Sequence, residues 1–445
     1  MEHLRELIEN KKYADFRKEI VDYNVQDVAD FIEEYEKEVR NKLFRMLPKS
    51  LAADVFSYVD PEVQQEMLSS MSEIEAGHLI DNLFADDATD LLEEMPAGVV
   101  KRLLAQASPQ TRKNINHLLN YPEDSAGSLM TVEFVDLKEN LTVAQAIDRI
   151  RKIGIDKETI NVCYVLDANR VLIGTVALRY LLLCEPEDVI GNIMHENVIT
   201  IHTLDDQEEV AKTFQKYDFT AMPVVDSEDR LVGIITVDDV VDIMEQEATE
   251  DIEMMAAITP TDKPYMRTSV WETYKKRIPW LLLLMISATF TGRIIQNYEE
   301  AIAGAGYLVL TAFIPMLMDT GGNCGSQASV SVIRSLSLDE IEFKDLFKVI
   351  FKEIRVALLC GLTLAAANFL KLLLLDQVSF SVASVVCITL LVTVFVAKIV
   401  GSSLPLLAKK VGFDPAVMAS PFITTIVDAL SLMIYFSIAT ELLGL

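Results

Sequence analysis

The sequence predicts a multidomain chain with an all-α superhelical N-terminal domain, a tandem α/β repeat, a connecting helix and a five-helix α transmembrane domain. Three observations carry this. The whole formal charge of -28 lies before Trp271, where 54 Asp plus Glu face 26 Lys plus Arg, whereas Trp271 to Leu445 holds 13 of each kind. Long apolar stretches begin only after Arg277, and a pattern of strand, Asp-containing turn, strand and helix occurs twice between the two regions.

Residues 1–123 carry short apolar-periodic segments punctuated near Pro48, Pro61, Pro96 and Pro109, which predicts stacked short helices. The opening segment MEHLRELIENKKYADFRKEI is charged and lacks the apolar core of a secretory signal, so the acidic half is expected in the cytosol. Its charge repels nucleic acid and anionic lipid heads and favours cations as partners. FADDATDLLEEMP groups Asp86, Asp87 and Asp90 at a helix start, where acidic residues also suit the macrodipole. Five cysteines without CxxC pairing argue against a zinc site or a disulfide framework. With no phosphate-binding Gly-rich loop, no HExxH and no ligand spacing among the histidines, an enzyme is a weak reading.

Residues 124–246 hold the repeat, divided near 190. NVCYVLDANRVLIGTVALRYLL and AMPVVDSEDRLVGIITVDDVVDIM are its two copies, each preceded by a short strand and a helix. The pair looks like a CBS-domain pair, a regulatory module that commonly binds adenine nucleotides or responds to ionic conditions. Residues 247–273 are predicted as a connecting segment, an acidic helix running up to Pro260 and Pro264 and placed to carry movement to the first span.

A helix needs roughly 20 apolar residues to cross the hydrocarbon core. Within 274–445 the candidates are Ile278 to Ile295, Ile302 to Met318 with a continuation past a glycine-rich break, Val356 to Leu375, Phe380 to Leu407, and Pro415 to Leu442. Lys275 to Arg277, the cluster from Arg334 to Arg355, and Lys409 with Lys410 all fall on one side, together with the acidic half. That asymmetry predicts five crossings of the cell membrane, with the C-terminus opposite.

An ionisable residue deep in a span is a functional candidate by default, and Asp428 lies near the middle of the fifth. Lys371 could counter its charge, yet it sits near the end of its own span and can snorkel. Thr424 and Thr425 precede Asp428 by one turn, Ser431 follows at i+3, and Ser420 with Pro421 stands two turns back. One carboxylate with hydroxyls suits a largely hydrated Mg2+. In IPMLMDTGGNCGSQAS, Gly321, Gly322 and Gly325 with Asn323 are expected to break the helix and turn carbonyls and the Asn323 and Gln327 amides toward an ion path. A tight helix crossing through small residues is the alternative.

Over its whole length the chain resembles the MgtE family of magnesium channels. The residues that carry the resemblance are PMLMDTGGNCGSQ at Pro315 to Gln327, DDATD at Asp86 to Asp90, EATEDI at Glu247 to Ile252, and FDPA before Asp428. The resemblance implies a homodimer in the lipid bilayer with a pore between its membrane domains. Asp428 would hold hydrated Mg2+ there, lined by Gly322, Asn323, Gly325, Gln327, Thr424 and Thr425. It also implies regulatory Mg2+ at Asp86, Asp90, Asp206, Glu208, Asp218, Asp239, Asp242, Glu247, Glu250, Asp251 and Asp414. ATP is a second implied ligand, held at the repeat pair by Arg179 and Phe219, although Tyr180 stands where an aspartate often grips the ribose. Repelling carboxylates drawn together by Mg2+ would close the pore as internal Mg2+ rises. A carrier exchanging protons or sodium for the divalent ion is the competing reading.

Overall fold

The computed structural model of the chain describes residues 1–93, 95–261, 265–266, 268–304, 308–418 and 420–443, side chains 50, 299–304, 308 and 420 excepted. Pro264 and part of the second predicted span lie outside the described residues, as does the Ser420 side chain. The chain forms two units, Met1–Met244 and Glu245–Leu445.

The first unit opens with short helices: α1 (Glu2–Glu9), α2 (Tyr13–Glu19), α3 (Val25–Glu33), α4 (Lys37–Phe44), α5 (Lys49–Ser57), α6 (Pro61–Ser70), α7 (Glu73–Ile80), α8 (Ala85–Glu93), α9 (Ala97–Gln106) and α10 (Pro109–Leu118). The prolines mark starts rather than gaps. Pro61 and Pro109 occupy the first helical turn behind the side-chain caps Asp60 and Ser108, where a missing N–H costs nothing. From α3 onward the helices pack on the next but one, α3 on α5, α4 on α6, α5 on α7, α7 on α9 and α8 on α10. Phe16, Phe31, Phe56 and Ile80 are fully enclosed between them.

The repeat follows, with α11 (Ala126–Leu129) ahead of β1 (Val135–Lys138), α12 (Val143–Ile153), β2 (Val162–Leu166), β3 (Leu172–Ala177), α13 (Leu178–Leu181) and α14 (Ile190–Ile193). The second copy is β4 (Ile201–His202), α15 (Gln207–Tyr217), β5 (Ala221–Val225), β6 (Leu231–Thr236) and α16 (Val237–Met255). In each copy the first strand runs parallel to the second across a helix, and the second pairs antiparallel with the third. Both hairpins turn on one chemistry. Asp167 accepts from the Asn169 and Val171 amides, and Asp226 from those of Glu228 and Arg230. The connecting helix is therefore not a separate element beginning at 247: α16 starts in the second copy and stops at Met255, two residues before Ala257 with its positive φ of 55°.

The second unit contains α17 (Val270–Gly304), α18 (Ile314–Ser337), α19 (Leu346–Leu374), α20 (Phe380–Val411) and α21 (Ser420–Leu443). Among the described residues, four segments are long and apolar enough to cross a membrane: Val270–Tyr298, Phe343–Leu374, Phe380–Val411 and Pro415–Leu443. α18 is not among them. Its 24 residues are long enough, but they include Asp319, Asn323 and Gln327. The expected second span is also misplaced, because residues 302–304 end α17 and α18 begins only at Ile314.

The expected break at Gly321, Gly322, Asn323 and Gly325 does not occur, since α18 runs unbroken through all four. The glycines instead allow close crossings. A Cβ on Gly321 would lie 2.7 Å from Thr393 Cγ2 of α20, and one on Gly325 2.8 Å from Ile423 Cγ2 of α21. A Cβ on Gly401 of α20 would overlap the Gly325 carbonyl oxygen. Backbone contact of this kind holds membrane helices together where apolar surface has no water to escape. Gly322 and Gly325 are thus buried in helix packing rather than presenting carbonyls to a path.

Behind this crossing, Lys398 of α20 meets Glu353 of α19 at 3.4 Å, with side chains 7% and 12% exposed. Lys371 does not remain available to Asp428, because it pairs with Asp376 at 2.9 Å. Removing one member of a buried pair leaves the other uncompensated, at a cost of about 3–5 kcal/mol. Glu353→Gln should accordingly lower the thermal midpoint in detergent more than Glu353→Leu combined with Lys398→Met; equal midpoints would deny the pair that role. Gly401→Ala should also destabilise, by about 1–3 kcal/mol of overpacking, read as a lower midpoint than wild type.

Candidate functional site

The crossing decides which edge of α18 remains uncovered. Gly321, Gly322, Cys324, Gly325 and Ala328 are buried, whereas Asp319, Asn323 and Gln327, spaced four apart, are exposed. On α21, Thr424, Thr425 and Asp428 are half-buried. Gly322 meets Thr424, where an added Cβ would stand 3.0 Å from Thr424 Cγ2, so the polar edges of the two helices adjoin. Thr424 and Thr425 each donate to the Pro421 carbonyl at 3.0 Å, which leaves their oxygen lone pairs available. Ser431 is turned away from this edge. It is 1% exposed, donates to Val427 O at 2.6 Å and packs at Gly321. Among the described residues neither Asp428 nor Asp319 has a cationic partner, unlike Glu353 and Asp376.

The first unit gathers carboxylates at two helix starts. Asp86 and Asp87 occupy the first turn of α8, and Asp238 with Asp239 the first turn of α16. Burial pushes the Asp86 carboxyl well above the usual range, with Asp87, Asp239 and Glu158 adding like charge. Burial first, then the neighbouring acids, raise Asp87 and Glu158 to about 7. Asp239 rises to about 6 by burial, opposed by the hydrogen bond it accepts from Thr236 at 2.8 Å. Asp242 adds like charge to Asp239. Glu133 ties the group together, accepting from Thr131 Oγ1 at 2.7 Å and from the Ala85 amide at the start of α8. Sequence reading brought forward Asp86 and Asp239 but not Asp87 as a ligand, nor Glu133 and Glu158, which lie in loops without a motif. Among the described residues no three His, Cys, Asp or Glu side chains stand close enough to hold a metal ion by themselves. The group has the composition for a hydrated Mg2+, which one or two carboxylates suffice to hold.

The other expected ligands are more dispersed. Asp90 lines a cavity of about 200 Å³ with Asp87, Gln64 and Gln65. Asp206 caps α15 through the Glu208 amide, Glu208 pairs with Lys212 at 3.0 Å, and Asp218 ends the helix in a left-handed conformation. Glu247 and Glu250 lie on α16, and Asp251 of the same helix accepts from Ser337 Oγ at 3.3 Å. Asp414 accepts from the Ala416 amide at 2.7 Å ahead of α21. Arg179 and Tyr180 are exposed on α13, and the Phe219 ring stacks on Tyr217 with centroids 5.7 Å apart.

Residues 314–438, which build the polar edge, match the MgtE divalent cation transporter profile; residues 23–124 match the MgtE intracellular N domain, and 190–246 a CBS domain. The fold and these matches define a membrane transporter of divalent cations with a CBS-containing soluble half. The magnesium transporter MgtE of Thermus thermophilus is 36% identical over 99% of this chain and 98% of its own length. That of Bacillus subtilis is 33% identical over 98% and 95%. The crystal structure of the cytosolic domain of the Mg2+ channel MgtE in complex with ATP covers 54% of this chain and 98% of its own, at 37% identity and a TM-score of 0.51. The soluble part of a magnesium transporter covers 55% and 96%, at 32% identity and a TM-score of 0.53. The chain belongs to the MgtE family of magnesium transporters.

Carboxyls raised to about 6 and about 7 favour the folded unit below about pH 4 and cost it stability as pH climbs through those values. In divalent-free buffer, the calorimetric midpoint of the first unit's transition should fall between about pH 5 and about pH 8. Mg2+ should restore it, and the concentration needed should increase roughly tenfold per pH unit below 7 for each proton displaced. A midpoint that is flat over this window would contradict the assignment.

Proposed function

We propose that the chain is a Mg2+ channel that passes the ion down its electrochemical gradient and closes when Mg2+ occupies the carboxylates of its cytosolic half. The observation that carries this reading is the uncovered polar edge of α18 and α21, with Asn323 and Gln327 on one helix and Thr424, Thr425 and Asp428 on the other. Such an edge is unfavourable against hydrocarbon. A second copy related by a two-fold axis would cover it and enclose a wet path, with Asp428 of each chain at its centre. Counting α18, whose 24 residues suffice, the membrane is crossed five times, with the basic clusters on the cytosolic side. Magnesium as the ion is supported by the names of the relatives and by the single Asp428 carboxylate per helix, which suits an ion that keeps most of its water.

Closure would follow from bridging Asp86, Asp87, Glu158 and Asp239, whose mutual repulsion otherwise opposes their approach. Asp90, Asp242, Glu247, Glu250, Asp251 and Asp414 are the further sensor positions, with Asp206, Glu208 and Asp218 at the ends of α15. The next-but-one stacking of the N-terminal helices supports the superhelical reading. The ATP complex of a similar cytosolic domain supports a nucleotide at Arg179 and Phe219.

In proteoliposomes, Asp428→Ala should abolish Mg2+ flux, and wild-type flux should fall as Mg2+ rises on the cytosolic face. Undiminished flux in Asp428→Ala would remove the pore from this edge. A requirement for a proton or sodium gradient would replace the channel by an exchanger.

A further inference from the structure

Carboxylates in or next to the apolar stretches of the membrane helices have different fates. Glu353 and Asp376 are matched by Lys398 and Lys371. Asp319 and Asp428 have no cation beside them among the described residues, although a charge at the bilayer centre costs about 2.5–3.5 kcal/mol on insertion scales. An unpaired carboxylate at that depth persists where water or a passing cation reaches it.

The crossing brings these two together. Along α18 from Gly325 to Gly321, the contacted residue on α21 advances from Ile423 and Val427 to Val427 and Ser431, so the helices run antiparallel. Gly322 meets Thr424. Asp319 lies three residues before Gly322 and Asp428 four residues after Thr424, displacements of about 4.5 Å and about 6 Å in the same direction. The two carboxylates therefore lie level on one edge. Asp319 is also the exposed member of the pair, in line with Asn323 and Gln327.

We infer that Asp319 is a second pore carboxylate, which sets the preference for a divalent over a monovalent cation by sharing the hydrated ion with Asp428. The inference rests on the pore reading above. Two carboxylates at one level repel by about 1–4 kcal/mol at about 4 Å and effective dielectrics of 80 to 20, and an ion between them is attracted in proportion to its charge, so a divalent ion gains twice what a monovalent ion gains. Asp428 alone would give about half that difference between the two ions. Asp319 converts attraction into a charge-selective station, the role that rings of acidic side chains play in cation pores.

The test compares Asp319→Asn, Asp319→Glu and Asp428→Asn in proteoliposomes, each first checked for wild-type elution by size exclusion. Asp319→Asn should raise the external Mg2+ for half-maximal flux about tenfold and lower the Mg2+ over Na+ preference by a similar factor, because affinity follows ligand charge count. Asp319→Glu should restore both. Loss of flux in Asp428→Asn with unchanged half-saturation and preference in Asp319→Asn would overturn this inference and leave the pore reading intact. Unchanged flux in both Asn variants would overturn the two together.

Discussion

The membrane unit depends on one constraint, the backbone contact between α18 and α20 at Gly325 and Gly401. A side chain at Gly401 would push the two helices apart, and one at Gly325 would strike Ile423 of α21. Their approach fixes the rotation of α18 about its own axis, burying Gly321, Gly325 and Ala328 and leaving Asp319, Asn323 and Gln327 outward. The small residues therefore place the polar ones. The Lys398 pair with Glu353 fastens α19 to the back of the same assembly, away from the polar edge.

The first unit obeys the same electrostatic logic in a different solvent. Two helix starts favour negative charge, and the fold brings Asp86 and Asp87 of one near Asp239 of the other. Helix dipoles offset part of the repulsion and burial adds to it, which is why these carboxyls retain protons toward neutrality. A group poised in this way has the chemistry to exchange its protons for a divalent cation.

Much of this was legible in the chain. The doubled strand, turn, strand and helix order of the repeat follows from Asp167 and Asp226 at matching turn positions, and local hydrogen bonds of that kind show in sequence. Asp428 stood out because an acid in an apolar run needs a reason. The continuity of α18 was not legible, since a Gly-rich stretch reads as a break and only its partners on α20 and α21 show it to be a crossing. The Lys398 and Glu353 pair joins residues 45 positions apart on different helices, so no local pattern announces it. Glu133 and Glu158 likewise acquire meaning only when loops distant in sequence converge on α8 and α16.

The central claim is that the outward edge of α18 meets water inside a membrane. Charged thiol reagents modify cysteines in aqueous paths and spare those facing lipid. Asn323→Cys, on the polar edge, should react from the aqueous side with loss of Mg2+ flux, and Mg2+ should slow the reaction. Leu359→Cys, 70% exposed on α19, should not react. Equal inertness at both positions would contradict a wet path along this edge.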